Sequence, residues 1–400
     1  MTEADRAADP LDRSRPGLAT VLREWGRIGC IGFGGPPTHI KLLRDLCVDR
    51  RRWMEPAEFE DAVAACNLLP GPASTQLSIF CAWRVRGRLG AAVGGAAFIV
   101  PGLVLILVLA DLFLTGAPPR TVLAAGAGAG SAVAVVAVHA AGGMVPASWR
   151  GAQRRGRAAR RRWSAYLAAG AVAAAVLGPT VVIVLLACGA VELIHRGRHD
   201  VAGRLGAATP FPAFVAISAV PTHALGALTW VAFKVGALSY GGGFVIIPLM
   251  QADAVNHYHW MSGGQFLNAV ALGQITPGPV VHTVAVVGFA AGGLTGGLLA
   301  AGVAFSPSFA FVLLGARHFD RLRANVHVRA FLDGAGPAAI GAIGGSAIAL
   351  VRALSQPWQY GVLAGAAVLL LALRRGVVLT LLAAAAAGVV LVMCGLGVPQ

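Results

Sequence analysis

The chain contains one segment twice. Displaced by 207 positions, Gly29 falls on Gly236, Gly34-Gly35 on Gly241-Gly242 and Trp53-Met54 on Trp260-Met261. Phe59 falls on Phe266, and Pro70-Gly71-Pro72 on Pro277-Gly278-Pro279, without a gap. Between 29 and 72, 15 of 44 positions are identical. Apolar helices resemble one another by chance, but chance does not hold Trp, Gly-Gly and Pro-Gly-Pro at one offset. The chain is therefore a duplication, which we divide as 18–204 and 205–400.

Composition decides the solvent. Of 400 residues, 57% are hydrophobic and 12% are charged, with mean hydropathy +0.72. A soluble domain carries about 25% charged residues, which it needs to cover its apolar interior. A soluble enzyme, a secreted domain and a disordered chain are excluded. Long unbroken apolar runs, rather than alternating strands, exclude a β-barrel. An all-α polytopic membrane protein remains, with roughly 10–13 membrane segments by the count of apolar runs. The net charge of +15 sits in short loops such as Arg150 to Arg162. It speaks for orientation in a lipid bilayer and not for nucleic acid. The six cysteines form no CxxC pair and read as packing residues, so no metal site is expected, and no motif predicts a cofactor. The first 17 residues hold no apolar stretch, which predicts no cleaved signal and a cytoplasmic N-terminus.

Charge also orients the halves. Loop 41–52 carries Lys41, Arg44, Arg50, Arg51 and Arg52, whereas its counterpart 248–259 has no Lys or Arg. Loop 84–88 carries three arginines and its counterpart 291–295 none, while 111–121 has only Arg120 against four arginines in 317–329. Basic loops stay cytoplasmic, so equivalent loops lie on opposite sides and the repeat is inverted. Such halves build secondary transporters, with substrate bound at the repeat interface near the midplane.

The segments expected in half one are 18–47, broken at Gly34-Gly35-Pro36-Pro37, then 57–83, broken at Pro70-Gly71-Pro72. Runs at 89–116 and 121–146, an Arg-rich loop, and 163–194 with a turn at Gly178-Pro179 follow. Half two repeats this with 225–250, 264–290, 293–316, 327–353, 358–373 and 376–396. The basic ends of the first two broken segments predict that each dips in and returns on one side. Pro210, Pro212 and Pro221 make 205–224 a poor helix.

The breaks carry the chemistry. Proline interrupts a helix and suits the first position of a new one. Pro72 should open a half-helix whose free N–H groups belong to Ala73, Ser74 and Thr75, and Pro279 one for Val280, Val281 and His282. A helix N-terminus with free N–H groups attracts anions. Ser74, Thr75, Gln76, Thr276, His282 and Thr283 add polar contacts, as do the equivalent Asn67 and Gln274. The alternative is a kink that only lets helices cross. Gly34, Gly35, Pro36, Thr38 and His39, with Gly241, Gly242 and Gly243, allow close backbone approach; packing alone is the other reading. Arg27 and Lys234, 207 apart, read as two cations approaching one dianion from opposite sides. Arg27 could instead pair with Glu24 at i, i+3, and Lys234 could snorkel. Glu24, Glu58 and Asp61 are the candidates for proton coupling, although acids also suit a helix start.

At these residues the sequence resembles the chromate ion transporter family in its long, two-domain form. The matching stretches are Phe33-Gly-Gly-Pro-Pro-Thr-His-Ile40, the basic loop into Trp53, and Leu69-Pro-Gly-Pro-Ala-Ser-Thr-Gln-Leu77. Half two contributes Tyr240-Gly-Gly-Gly, Thr276-Pro-Gly-Pro-Val280 and Phe305-Ser-Pro-Ser-Phe309. The resemblance implies a multi-pass protein of the cytoplasmic membrane that exports chromate, driven by the proton gradient. A transporter of sulfate or another anion is the alternative, and a membrane-embedded lipid enzyme the remote one. A homodimer is compatible with this reading. One departure from the family pattern stands at Cys81-Ala82-Trp83-Arg84, where Gly is expected in place of Ala82.

Overall fold

The computed structural model describes residues 16–68, 71–114, 118–177, 181–200, 224–239, 246–315 and 325–397. Every regular element among them is helical. Half one comprises α1 (Leu18–Ile31), α2 (Pro36–Arg44, continued by a π-turn Asp45–Arg50), α3 (Pro56–Leu68), α4 (Ala73–Leu114) and α5 (Arg120–Arg154), then α6 (Arg157–Val172) and α7 (Val181–Asp200). Half two comprises α8 (Ala224–Leu238), α9 (Ile246–Gln251, with a π-turn Ala252–His257), α10 (Gly263–Ile275), α11 (Thr283–Gly315), α12 (Val326–Arg352), α13 (Pro357–Ala367) and α14 (Val377–Met393). The helices of 73–114, 120–154, 280–315 and 326–352 are long and apolar enough to cross a membrane. They fall two to each half.

The duplication extends to backbone detail. The π-turns are 207 apart, and Trp53 and Trp260 donate their N–H groups to Cys47 and Ala254 at 2.8 Å in both. Arg52 (φ 50°) and His259 (φ 53°) share the left-handed conformation that follows each turn. Past the Pro-Gly-Pro breaks the register changes. α4 is interrupted at Arg86-Gly87 and α11 at Gly292-Gly293, an offset of 206. The gapless match thus ends there: half two has one residue fewer, and a 3-10 turn Val280–His282 stands where half one starts directly in α-helix. A 3-10 turn spans the same arc with fewer residues.

The ion pairs show the re-entrant path. Glu58, at the start of α3, pairs with Arg84, where the first arm of α4 ends. Both ends of that hairpin therefore lie together, and the break between them is its tip. Likewise Glu24 of α1 pairs with Arg51, which follows α2, at 2.6 Å.

The halves are inverted. α5 and α12 are equivalent helices. Arg155, capping the end of α5, pairs with Asp333 in the second turn of α12. Ala353, capping the end of α12, lines a cavity with Arg120 at the start of α5. The two helices therefore run antiparallel.

The inner layer is α4 against α11, with α1 on α4 and α8 on α11. α1 buries Val21, Glu24, Trp25, Ile28 and Gly29, the spacing of one helical face. Trp25 donates to the Ser78 carbonyl at 2.9 Å. The outer layer is exchanged: α5 packs on α13 and α14 of half two, while α12 packs on α6 and α7 of half one. Gly170 and Gly341 meet the backbone of Ala338 and Leu167 so closely that no Cβ would fit. Small residues at such crossings permit the close packing that joins helices in lipid.

The segment anticipated as an Arg-rich loop is mostly helix, since α5 continues to Arg154 and α6 begins at Arg157. Ala and Arg are both strong helix formers, and the turn between needs only Arg155-Gly156. Residues 205–223, the Gly178-Pro179 turn, Tyr240 to Gly243, and Pro70 lie outside the described residues.

Candidate functional site at the paired helix breaks

Both Pro-Gly-Pro tips are interior. Gly71 and Pro72 are buried, as are Pro277, Gly278 and Pro279. Gly71 (φ 116°) and Gly278 (φ 99°) hold a conformation that L side chains rarely adopt. Each tip reaches the opposite half. Gly278 donates its N–H to the Gly32 carbonyl at the end of α1, at 3.0 Å. A Cβ on Gly71 would stand 3.5 Å from the carbonyl of Gly236 in α8. Gly102 of α4 lies against the Pro277 carbonyl and the His282 ring, with no room for a Cβ.

Polar groups gather at these tips. His39 is fully buried and its Nε2 contacts the Gly32 carbonyl at 2.8 Å. The same carbonyl thus serves both His39 and Gly278. His282, also fully buried, covers Gly278 as Gln76 covers Gly71. The two histidines meet Phe98 and Phe305 edge-on, at centroid distances of 5.0 and 5.3 Å. Buried polar atoms without a well-formed hydrogen bond include His39 Nδ1, both ring nitrogens of His282, Thr75 Oγ1, Ser78 Oγ, Ser239 Oγ, Gln274 Nε2 and Ser308 Oγ. Leaving one such group unmet costs about 1–3 kcal/mol. Such groups are rare in a protein interior, where buried polar atoms are almost always paired.

The sequence-predicted residues distribute as follows. Ser74, Thr75, Gln76, Gln274, Thr276, His282 and Thr283 are buried at the tips. Thr276 and Thr283 spend their hydroxyls on the carbonyls of Leu272 and Val280. Pro36 opens α2, with Gly35 as its N-cap; Gly34 is exposed and Gly35, Pro36 and Thr38 are half-buried. Asn67 is exposed, unlike its equivalent Gln274.

Three expectations need correction. The N–H groups of Thr75 and His282 are not free, because each donates to the carbonyl of Pro72 or Pro279 at 2.9 Å. That follows from helix geometry, where the third residue after the cap already closes a turn. Ala73 and Ser74, with Val280 and Val281, keep the open positions. Arg27 is exposed on α1, and Glu24 is held by Arg51 instead. Lys234 is not an unpaired cation: its Nζ lies 2.7 Å from Asp253 Oδ2, with Asp253 buried. The two residues are therefore not an equivalent pair of unpaired buried cations: one is exposed and the other has a carboxylate partner. Lys234 also lies 5.8 Å from the Trp230 ring centre. Of the coupling candidates, Glu24 is buried and Glu58 is held by Arg84; Asp61 is exposed on α3.

Gly102, Ser78, Ser239, Ser308 and Asp253 were missed. Ser308 sits inside the Phe305-Ser-Pro-Ser-Phe309 stretch, and it is the repeat equivalent of Gly102, so the motif contained the signal. Asp253 gave none, because its equivalent is Leu46.

The departure at Ala82 has a packing account. Its equivalent, at offset 206, is Gly288. A Cβ on Gly94 would collide with the Ala82 methyl, and one on Gly288 with the Ala300 methyl. Ala300 is the equivalent of Gly94. One methyl fits at this crossing, and the halves place it on opposite partners.

The chromate transporter family model matches residues 19–193 and 226–389. The chain belongs to the chromate transporter family. The matched stretches fall one in each half. A chromate transport protein of Cupriavidus metallidurans is 30% identical over 341 residues, covering 84% of this chain and 83% of its own. A chromate transport protein of Pseudomonas aeruginosa is 31% identical over 375 residues, covering 89% and 85%. An uncharacterized transporter of Methanocaldococcus jannaschii is 26% identical over 333 residues, covering 78% and 79%. No solved structure matches.

Proposed function

We propose that the protein exports chromate across the cytoplasmic membrane, bound at the meeting point of the two Pro-Gly-Pro tips. The observation that carries this reading is the pair of interior breaks, each seated on the other half and ringed by buried polar groups, several with an atom that makes no well-formed hydrogen bond. A tetrahedral oxyanion accepts hydrogen bonds on every side. The open N–H groups of Ala73, Ser74, Val280 and Val281 offer the positive ends of two half-helices. His39, Thr75, Gln76, Ser78 and His282 supply side-chain donors. Irregular backbone persists at this depth because protein surrounds it.

Inverted halves suit alternating access, in which one half rocks against the other about a fixed site. Coupling to protons would run through carboxylates. Glu24, Glu58 and Asp61 are the candidates on half one, and Asp253 joins them on half two.

Purified protein in proteoliposomes tests the reading. Chromate should move against its gradient when a pH gradient is imposed, and sulfate should compete only in part. A pH gradient that drives no chromate movement, with sulfate moved instead, would overturn the substrate assignment. Chromate movement indifferent to the pH gradient would overturn the coupling.

A further inference from the structure

A cavity of about 680 Å³ lies away from the tips. Phe113 of α4, Arg120 and Leu123 of α5, Gln265 and Asn268 of α10, and Gln359 of α13 line it. Among the described residues of the lining, Arg120 is the only charged one, and none is a carboxylate. Neither the Arg120 nor the Asn268 side chain has a hydrogen-bond or ion-pair partner among the described residues. Gln359 is 3% exposed, and its carboxamide oxygen accepts the N–H groups of Ser355 and Gln356 at 2.9 and 3.0 Å, which fixes that wall.

Position gives the cavity a side. α5 runs for 35 residues from Arg120 to Arg154. At 1.5 Å per residue that is about 50 Å, more than the ~30 Å hydrocarbon core. Arg120 therefore lies at the face opposite the arginines of 150–162, which belong in the cytoplasm. The inner wall reaches Leu272. The Leu272 carbonyl accepts both the N–H and the hydroxyl of Thr276, the residue before the second Pro-Gly-Pro. The cavity thus ends about one helical turn from the tips.

The repeat sharpens the reading. Gln265 and Asn268 are the equivalents of Glu58 and Asp61 at offset 207. Half one carries carboxylates at the two positions where the outer cavity has amides.

We infer that this cavity is an outer vestibule for a doubly charged tetrahedral oxyanion, held by the Arg120 guanidinium with the Gln265 and Asn268 amides as further donors. The planar fork of Arg matches two oxygens of such an anion at once. The inference rests on the reading that the chain moves an oxyanion. The test uses the full chain with its six cysteines replaced by Ala and Asn268→Cys added; Leu123→Cys serves as a second reporter if the first folds poorly. Membrane-impermeant anionic and cationic thiosulfonates are applied to the outside of intact cells. The anionic reagent should react at least tenfold faster, relative to the ratio at a solvent-exposed cysteine. Arg120→Gln should abolish that preference. Chromate or sulfate should slow the labelling with Arg120 present and not with Gln. Protection by sulfate alone would support the vestibule while counting against chromate as substrate. A charge preference unchanged by Arg120→Gln, labelling only from the inside, or protection by neither anion would overturn the vestibule even where transport is intact.

Discussion

In half one the acid of the bracing ion pair sits on the opening helix, Glu24 of α1, and its partner Arg51 follows the re-entrant segment. In half two the base sits on the opening helix, Lys234 of α8, and its partner Asp253 lies in the turn after α9. The positions are not equivalent and the polarity is reversed, yet each pair ties an opening helix to the segment after its tip. What the halves keep is the brace and not the sign of either charge. This argues against reading any one of these residues as a substrate ion by its charge alone. The tips follow the same logic, with Gln76 in one half and His282 in the other lying over the glycine of the break.

The largest effect should come from what the halves share. Gly71→Leu or Gly278→Leu forces a side chain into positive φ, at about 1–2 kcal/mol, and into an occupied site, at about 1–3 kcal/mol more. Transport should fall at least tenfold in either variant while membrane abundance is largely kept. Vesicle uptake with immunoblotting measures both. A difference of more than threefold between the two would break the equivalence of the tips.

Next come the braces, where the halves should differ. Asp253→Asn leaves Lys234 with its side chain 17% exposed and no counter-charge. Breaking a buried pair in this way costs roughly 3–5 kcal/mol. Glu24→Gln should cost less, because the Arg51 side chain is 37% exposed and water can take over. Thermal unfolding in detergent should order the two variants so, and equal losses would mean the braces are equally dry. Exchanging the pair as Lys234→Asp with Asp253→Lys should recover much of the stability, since the sign is what the halves do not share.

A smaller effect is expected from making the tips alike. His282→Gln gives half two the side chain that covers Gly71. Transport should stay within about threefold of the parent, and complete loss would show that the imidazole has its own task. The smallest effect lies at the Ala82–Gly94 crossing. Gly94→Ala alone should destabilise, by roughly 1–3 kcal/mol for overpacking, whereas Gly94→Ala with Ala82→Gly reproduces half two and should return to within about 0.5 kcal/mol. The double-mutant cycle measures that coupling.

Much of this fold was legible in the chain. Pro-Gly-Pro and Gly-Gly-Pro-Pro dictate backbone conformations directly, so Gly35, Gly71 and Gly278 announced breaks wherever the chain would place them. Loop arginines reported the inversion because orientation acts on loops locally. The site was legible where polar residues follow a break, as with Ser74, Gln76 and His282. What escaped depends on contacts between distant segments. Lys234 and Arg27 share a register, and that symmetry suggested a shared role. The counter-charge Asp253 is 19 residues downstream at a position where the repeat offers Leu46. The one-residue shortening near His282 was hidden because Gly and Ala recur on both sides of it. The exchange of outer helices left no trace in periodicity, since α6 would show the same apolar face to either half.

That exchange bears on how the protein is made. α6 and α7 find their partner α12 only after about 126 further residues have been synthesised (326 − 200). At 5–20 residues per second this is a wait of roughly 6–25 s. During it these two helices stand without the surface on which they pack. α5 waits longer still for α13 and α14. Neither half can close its own helix bundle, so each serves as the other's scaffold during assembly. A chain divided between 201 and 223 should accumulate only when both pieces are made in the same cell.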